Sequence, residues 1–297
     1  MTILVLFQPG SAGGVQDMHR FRSSLVALLL ALFVGTSGAA ADVVERPDLE
    51  HHFTDVGTTG TMVIERSGGE PRTWVIGTDR SAHRYIPSST FKIPNALLAI
   101  DRGVATGAQQ RYPGPNPNVF VDGAPFLPVA CEGDLTLAIA LANSCIPVFQ
   151  QIAREIGTAA YARELKRLRY GNQDVARAQV DRFWLDGPLT ISAREQVDFL
   201  RRLEQGALPV SRRAVREVSD MLVLERSRCM VLRGKTGYVF TTTPRVGWWV
   251  GWIERGDTRW TFALNLDITR PEHATARTAI GRAVLTDLGA LGGGATC

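Results

Sequence analysis

Eight consecutive residues, Val246 to Ile253 (VGWWVGWI), are apolar at every position. Neighbours along a strand point to opposite faces, so a strand with this text must be covered on both sides. It reads as the central strand of a sheet flanked by helices. Glu254-Arg255-Gly256-Asp257 then forms a polar turn, and Trp260, Phe262, Leu264 and Leu266 alternate as the second strand of the same hairpin. Near the other end, Thr61–Glu65 and Thr73–Gly77 flank a Ser-Gly-Gly turn and predict a further hairpin. Between these ends the period is helical from Leu135 to Leu203. Gly157-Thr158 separates two helices, the second with Tyr161, Leu165 and Leu168 on one face. Ser192-Ala193-Arg194-Glu195 is a capping box opening a helix that buries Val197, Leu200 and Leu203. A closing helix, Ala276–Leu288, carries Ile280, Val284 and Leu288.

This order predicts an α/β (α+β) fold. Both chain ends supply one antiparallel sheet flanked by helices, and an all-helical subdomain is inserted over about 95–225. A cleft between the two parts is the natural place for a ligand. Arg111–Pro128, rich in Pro, Gly and Asn, is expected to be loop, lining that cleft.

The first residues read as a leader. From Met18 a basic start (His19, Arg20, Arg22) precedes an apolar run, Leu25–Val34, and the small residues Ala39-Ala40-Ala41. Met18 is the expected true start, 1–41 the extension and signal peptide, and 42–297 a single mature domain that is secreted and periplasmic. The apolar run is too short to span a bilayer comfortably, so no stable membrane insertion is expected. Net charge is +4 without a basic stripe, which gives no support to nucleic-acid binding. The five histidines form no HxH or HExxH spacing, so no metal is expected, and His51-His52 is assigned to a solvated segment. Cys131, Cys145, Cys229 and Cys297 would meet an oxidising compartment, where their three possible pairings stay open.

Only three lysines, Lys92, Lys166 and Lys235, stand against thirty arginines. Arginine stays protonated, whereas a desolvated lysine loses its proton and serves as a base. Lys166 lies among Arg163, Arg167 and Arg169 as plain surface charge. The other two sit in patterned text. Ser89-Thr90-Phe91-Lys92 is S-x-x-K entering a helix, a spacing that puts both side chains on one face beside a helix N-terminus. A serine hydroxyl is a weak nucleophile until a base takes its proton, and Lys92 is the adjacent candidate. Lys235-Thr236-Gly237 lies on an edge-forming strand suited to receiving a substrate carboxylate. Either string alone is common; the two in this order are specific.

With these residues the chain resembles the class D (oxacillinase-type) β-lactamases, from about Gly57 to Leu288. Pro87–Asn95 (PSSTFKIPN) is similar to the family's nucleophile segment, and Tyr170-Gly171-Asn172 to its Y-G-N. Phe183–Leu189 (FWLDGPL) resembles its tryptophan-bearing loop, and Lys235-Thr236-Gly237 followed by Gly247–Trp252 completes the set. The resemblance implies hydrolysis of the β-lactam amide through a Ser89 acyl-enzyme, with N6-carboxylated Lys92 as the general base. Carbon dioxide or bicarbonate would supply that carboxyl group, and no other cofactor is implied. Phe91, Ile146 and Trp184 would keep the pocket dry, and the Trp184 indole would donate to the modified lysine. The backbone amides of Ser89 and Tyr238 would form the oxyanion hole. Ser144 would carry protons toward the leaving nitrogen, while Lys235, Thr236, Gly237 and Arg277 would hold the substrate carboxylate.

One departure stands out: Ser144-Cys145-Ile146 replaces the family's usual S-x-V, adding a methylene beside the base. The implied partner is a small-molecule β-lactam, bound by a monomer or homodimer. The alternatives are a D-alanyl-D-alanine peptidase (penicillin-binding protein) and a non-hydrolytic β-lactam sensor domain.

Overall fold

A computed structural model describes residues 42–121 and 124–292. The expected leader, the Met18 start and Cys297 lie outside the described residues. The strands are β1 (Asp42–Glu45), β2 (Gly60–Ser67), β3 (Arg72–Ile76), β4 (Arg111–Tyr112), β5 (Val119–Val121), β6 (Ala124–Phe126), β7 (Leu135–Thr136), β8 (Val223–Arg226), β9 (Val231–Val239), β10 (Arg245–Arg255) and β11 (Thr258–Ile268). The α-helices are α1 (His51–Thr54), α2 (Thr78–Ala82), α3 (Lys92–Asp101), α4 (Leu137–Ala142), α5 (Ile146–Ile156), α6 (Thr158–Leu168), α7 (Ala193–Glu204), α8 (Arg212–Met221) and α9 (His273–Asp287).

Seven strands form the main sheet in the order β1-β3-β2-β11-β10-β9-β8. It joins both ends of the described chain, as expected, and all pairs are antiparallel except β1 with β3. Strand β10 explains why Val246–Ile253 is apolar throughout. Trp248, Val250 and Trp252 face a core shared with α3, α5, α6 and α7. Trp249 and Ile253 face a second core shared with Phe53 of α1 and Ile280, Val284 and Leu285 of α9.

Helix α3 is the pivot between sheet and helices, with every residue from Lys92 to Ile100 buried. Helix α7 opens with the expected capping box, Ser192 Oγ accepting from Glu195 N and Glu195 answering at the Ser192 amide. It packs against β2, β10 and β11, and so covers the sheet. The expected loop Arg111–Pro128 is partly structured: β4 pairs with β7, and β5 with β6. Pairing over two or three residues leaves no periodic signal to read. The pair His51-His52 opens a docked helix instead of a solvated segment, and His52 Nε2 meets Asp287 Oδ2 of α9 at 2.7 Å. No helix among the described residues is long and apolar enough to cross a membrane.

Candidate active site

Residues Ser88–Phe91 form a single 3-10 turn leading directly into α3. Ser88 takes a left-handed backbone, φ 47°, which a non-glycine residue holds only when its surroundings over-determine it. Three bonds do so. The Ser88 amide donates to Trp184 O at 2.9 Å, and its hydroxyl donates to Tyr238 O at 2.5 Å. Two residues earlier, Trp248 Nε1 of β10 donates to Ile86 O at 3.0 Å. From behind, Gln196 of α7 donates to Thr90 Oγ1 at 2.9 Å, and Thr90 donates to Pro87 O at 2.7 Å. The contacts of Ser88, Thr90 and Gln196 give no sequence signal, because they form across the fold.

The turn lies against β9. Strand β8 pairs only with Val231–Arg233, and Gly234 N donates to Leu222 O. Beyond that point no described strand covers the outer edge of β9, and the 88–91 turn packs there. Gly234 directs its amide outward, so alternation along the strand sends the amides of Thr236 and Tyr238 outward as well. The Tyr238 amide therefore faces the 88–91 turn. Gly237 makes this approach possible: a Cβ there would sit 3.1 Å from both Pro87 O and Thr90 Cγ2.

Lys92 is fully buried, and its Nζ donates to Ser89 Oγ at 2.8 Å. Burial, reinforced by the charge of Lys235, pushes its pKa well below the ordinary lysine value. The Phe149 ring centroid lies 5.6 Å from Nζ, and Ile146 sits one turn earlier on α5 at 8% exposure. Phe91 stacks on Trp184 with centroids 5.3 Å apart, and Phe183 packs edge-on to both. Trp184 Nε1 is buried with no hydrogen-bond partner among the described residues. Such a donor, left unmatched in a dry pocket, is costly unless an acceptor meets it. An oxygen-bearing group on Lys92 fits that chemistry.

On the other side of Ser89, Lys235 Nζ donates to Ser144 Oγ at 2.5 Å and to Thr236 O at 3.1 Å. Burial, with the Arg277 guanidinium nearby, pulls the Lys235 pKa down to about 7. Arg277 projects from α9 under β10, its Cδ 3.3 Å from where a Cβ on Gly247 would stand. Its Nε is buried and has no hydrogen-bond partner among the described residues. Burial lowers its pKa too, against the opposing influence of Tyr238. Ile146 lines a pocket of about 200 Å³, in which Phe120, Leu185 and Phe240 stand beside the polar Arg182 and Asp186.

The residues singled out from the sequence thus converge from four places: Ser89, Phe91 and Lys92 from the turn and α3, Ser144 and Ile146 around the start of α5, Trp184 from the 169–192 segment, and Lys235 to Tyr238 with Arg277 from the sheet and α9. The Y-G-N residues stand behind them. Asn172 Oδ1 accepts from Thr190 N at 3.0 Å and its amide donates to Pro188 O at 2.8 Å, closing the loop that carries Trp184. Gly171 has φ 54°, and a Cβ there would meet Thr190 O at 2.1 Å. The cysteine pairing left open by the sequence is resolved for one bridge, Cys131–Cys145.

Residues 61–286 match the penicillin binding protein transpeptidase domain. β-Lactamase OXA-48 of Klebsiella pneumoniae is 35% identical over 86% of this chain and 94% of its own. β-Lactamase OXA-3 of Pseudomonas aeruginosa is 36% identical over 90% and 94%. Among solved structures, the class D β-lactamase YbXI from Nostoc superposes with a TM-score of 0.75 at 33% identity, covering 81% of this chain and 98% of its own. The class D β-lactamase FUS-1 (OXA-85) from Fusobacterium nucleatum subsp. polymorphum gives 0.75 at 31%, covering 83% and 99%.

Proposed function

Since the chain belongs to the class D β-lactamases, within the penicillin-binding transpeptidase family, we propose that it hydrolyses penicillins and related antibiotics through a Ser89 ester, with carboxylated Lys92 as its base. One observation carries this reading: a buried, pKa-lowered amine lies 2.8 Å from Ser89 Oγ, and the unmatched Trp184 indole stacks on Phe91, the residue just before that lysine. Only a neutral amine adds carbon dioxide, and the dry wall of Phe91, Phe149, Ile146 and Trp184 favours the neutral form. The carboxyl group on Lys92 supplies an anionic proton acceptor within that pocket.

Ser89 Oγ attacks the lactam carbonyl carbon as its proton passes to the base at Lys92, and the amides of Ser89 and Tyr238 receive the developing oxyanion. The ring C–N bond breaks, and the departing nitrogen takes a proton from Ser144, which is resupplied by Lys235. Water then cleaves the ester, releasing the opened acid and restoring the Ser89 hydroxyl. Lys235, Thr236 and Arg277 hold the substrate carboxylate on the open edge of β9, with Gly237 clearing the approach. The protein acts in the periplasm on small-molecule β-lactams and needs no cofactor other than carbon dioxide.

The test follows nitrocefin hydrolysis with and without added bicarbonate, with intact-mass detection of the acyl-enzyme after penicillin addition. Turnover that rises with bicarbonate and vanishes in Lys92→Ala supports the proposal. An acyl-enzyme that never clears would instead identify a β-lactam sensor. Absent β-lactam turnover but cleavage of D-alanyl-D-alanine peptides would identify a peptidase.

A further inference from the structure

The turn between α4 and α5 holds Ser144 in a left-handed backbone, φ 61°. A β-substituted residue adopts that conformation only under constraint. Backbone bonds supply part of it: Ser144 N donates to Leu141 O at 3.2 Å and Cys145 N to Ala140 O at 2.8 Å. The N-cap of α5 adds nothing, because Cys145 occupies it and makes no side-chain capping bond. Ser, Thr, Asp or Asn would normally stand there and accept from the first turn.

Cys145 instead bonds to Cys131, and both are almost wholly buried, at 1% and 0% exposure. Cys131 closes the 3-10 turn Val129–Cys131, which is itself anchored. Its amide donates to Pro128 O at 2.7 Å, and the Asn116 side-chain amide donates at 3.0 Å to both Cys131 O and Gly133 O. The bridge therefore ties the turn carrying Ser144 to the fixed base of the 111–136 segment, one residue from a hydroxyl that must stay 2.5 Å from Lys235.

We propose that the Cys131–Cys145 disulfide positions Ser144 for proton delivery, so that acylation depends on the bridge while hydrolysis of the formed acyl-enzyme does not. This rests on the proton-carrying part assigned to Ser144 above. Without the bridge, the 143–145 turn is free to leave the left-handed region and carry Ser144 Oγ away from Lys235.

A double-mutant cycle tests it. Cys131→Ala with Cys145→Val keeps the buried volume filled; Cys131→Ser with Cys145→Ala is the second version should the first not fold. Each is made with and without Ser144→Ala, and rates are taken per acylated Ser89 by intact mass, so that misfolded protein drops out. The expected result is acylation slowed about tenfold or more by loss of the bridge. Deacylation stays within about twofold, and Ser144→Ala adds little further loss once the bridge is gone, as coupled residues require. Wild-type acylation in the bridge-free enzyme overturns the proposal, as does a full additional loss from Ser144→Ala. If Ser144→Ala alone leaves acylation unchanged, the part given to Ser144 falls first and the proposal falls with it.

Discussion

The Ser88 hydroxyl donates to the Tyr238 carbonyl at 2.5 Å, fastening the turn that carries Ser89 to the strand edge that faces it. Both amides assigned to the oxyanion hole are thereby fixed relative to each other, since Ser89 follows Ser88 and the Tyr238 amide belongs to the strand so held. Ser88→Ala removes the bond but keeps the constrained φ of 47°. A stability loss of about 1 kcal/mol is expected, read by urea unfolding, with a fall in kcat of about tenfold from looser donor geometry. Ser88→Gly separates the causes, because glycine accepts the backbone angle without strain. If the glycine variant recovers the full rate, the hydrogen bond is not what positions the hole.

Trp184 packs against Phe91 and Phe183 while its indole nitrogen meets no protein acceptor. Trp184→Phe retains the aromatic packing and deletes the donor. Acylation by penicillin is expected to persist while deacylation falls about a hundredfold, the scale of a general base lost or displaced. The acyl-enzyme should accumulate by mass spectrometry, and high bicarbonate should restore part of the turnover. Simple core packing would give slower unfolding or faster unfolding, but no bicarbonate response.

How far the sequence carried this picture depends on the range of the signal. Val246–Ile253 announced a strand covered on both faces because its neighbours alternate within a few residues, and β10 is that strand. The capping box at Ser192 and the break at Gly157 are equally local. Strands β1 and β8 were missed, being short and exposed along much of their length. The parallel pairing of Asp42–Glu45 with β3 has no hairpin turn to reveal it. At the site, motif spacing identified Ser89, Lys92 and Lys235, but not the left-handed φ of Ser88 and Ser144, which tertiary bonds impose. Phe149 was missed for a related reason. Its ring approaches Lys92 only because α5 packs across α3.

Lys235 is expected to set an alkaline limit on substrate capture. Burial and Arg277 hold its pKa at about 7 in the free enzyme, so above that pH most molecules carry a neutral amine. A substrate carboxylate favours the charged form, and binding above pH 7 therefore requires proton uptake. KM should rise as pH climbs from about 7, by at most about tenfold per unit, with kcat changing less. Lys235→Arg should flatten that rise, because arginine keeps its charge throughout the range. A KM profile that stays flat from pH 6 to 9 in the unmodified enzyme would remove Lys235 from carboxylate binding.

Ile146 opens α5 one turn before Phe149. It is 8% exposed and lines a pocket with Phe120, Leu185 and Phe240 beside the polar Arg182 and Asp186, and its side chain is expected to hinder the approach of water to the Ser89 ester. Ile146→Val is expected to cost about 1 kcal/mol in stability from the buried group removed. The same change should shorten the acyl-enzyme lifetime by about tenfold, the order that one methylene commands in a packed site. Stopped-flow acylation and mass-detected deacylation separate the two steps. Because the pocket wall and not the nucleophile is altered, the acylation rate should stay near that of the parent. An unchanged acyl-enzyme lifetime would mean that water approaches Lys92 from the Trp184 side, and that the crowding at Ile146 bears on substrate side chains instead.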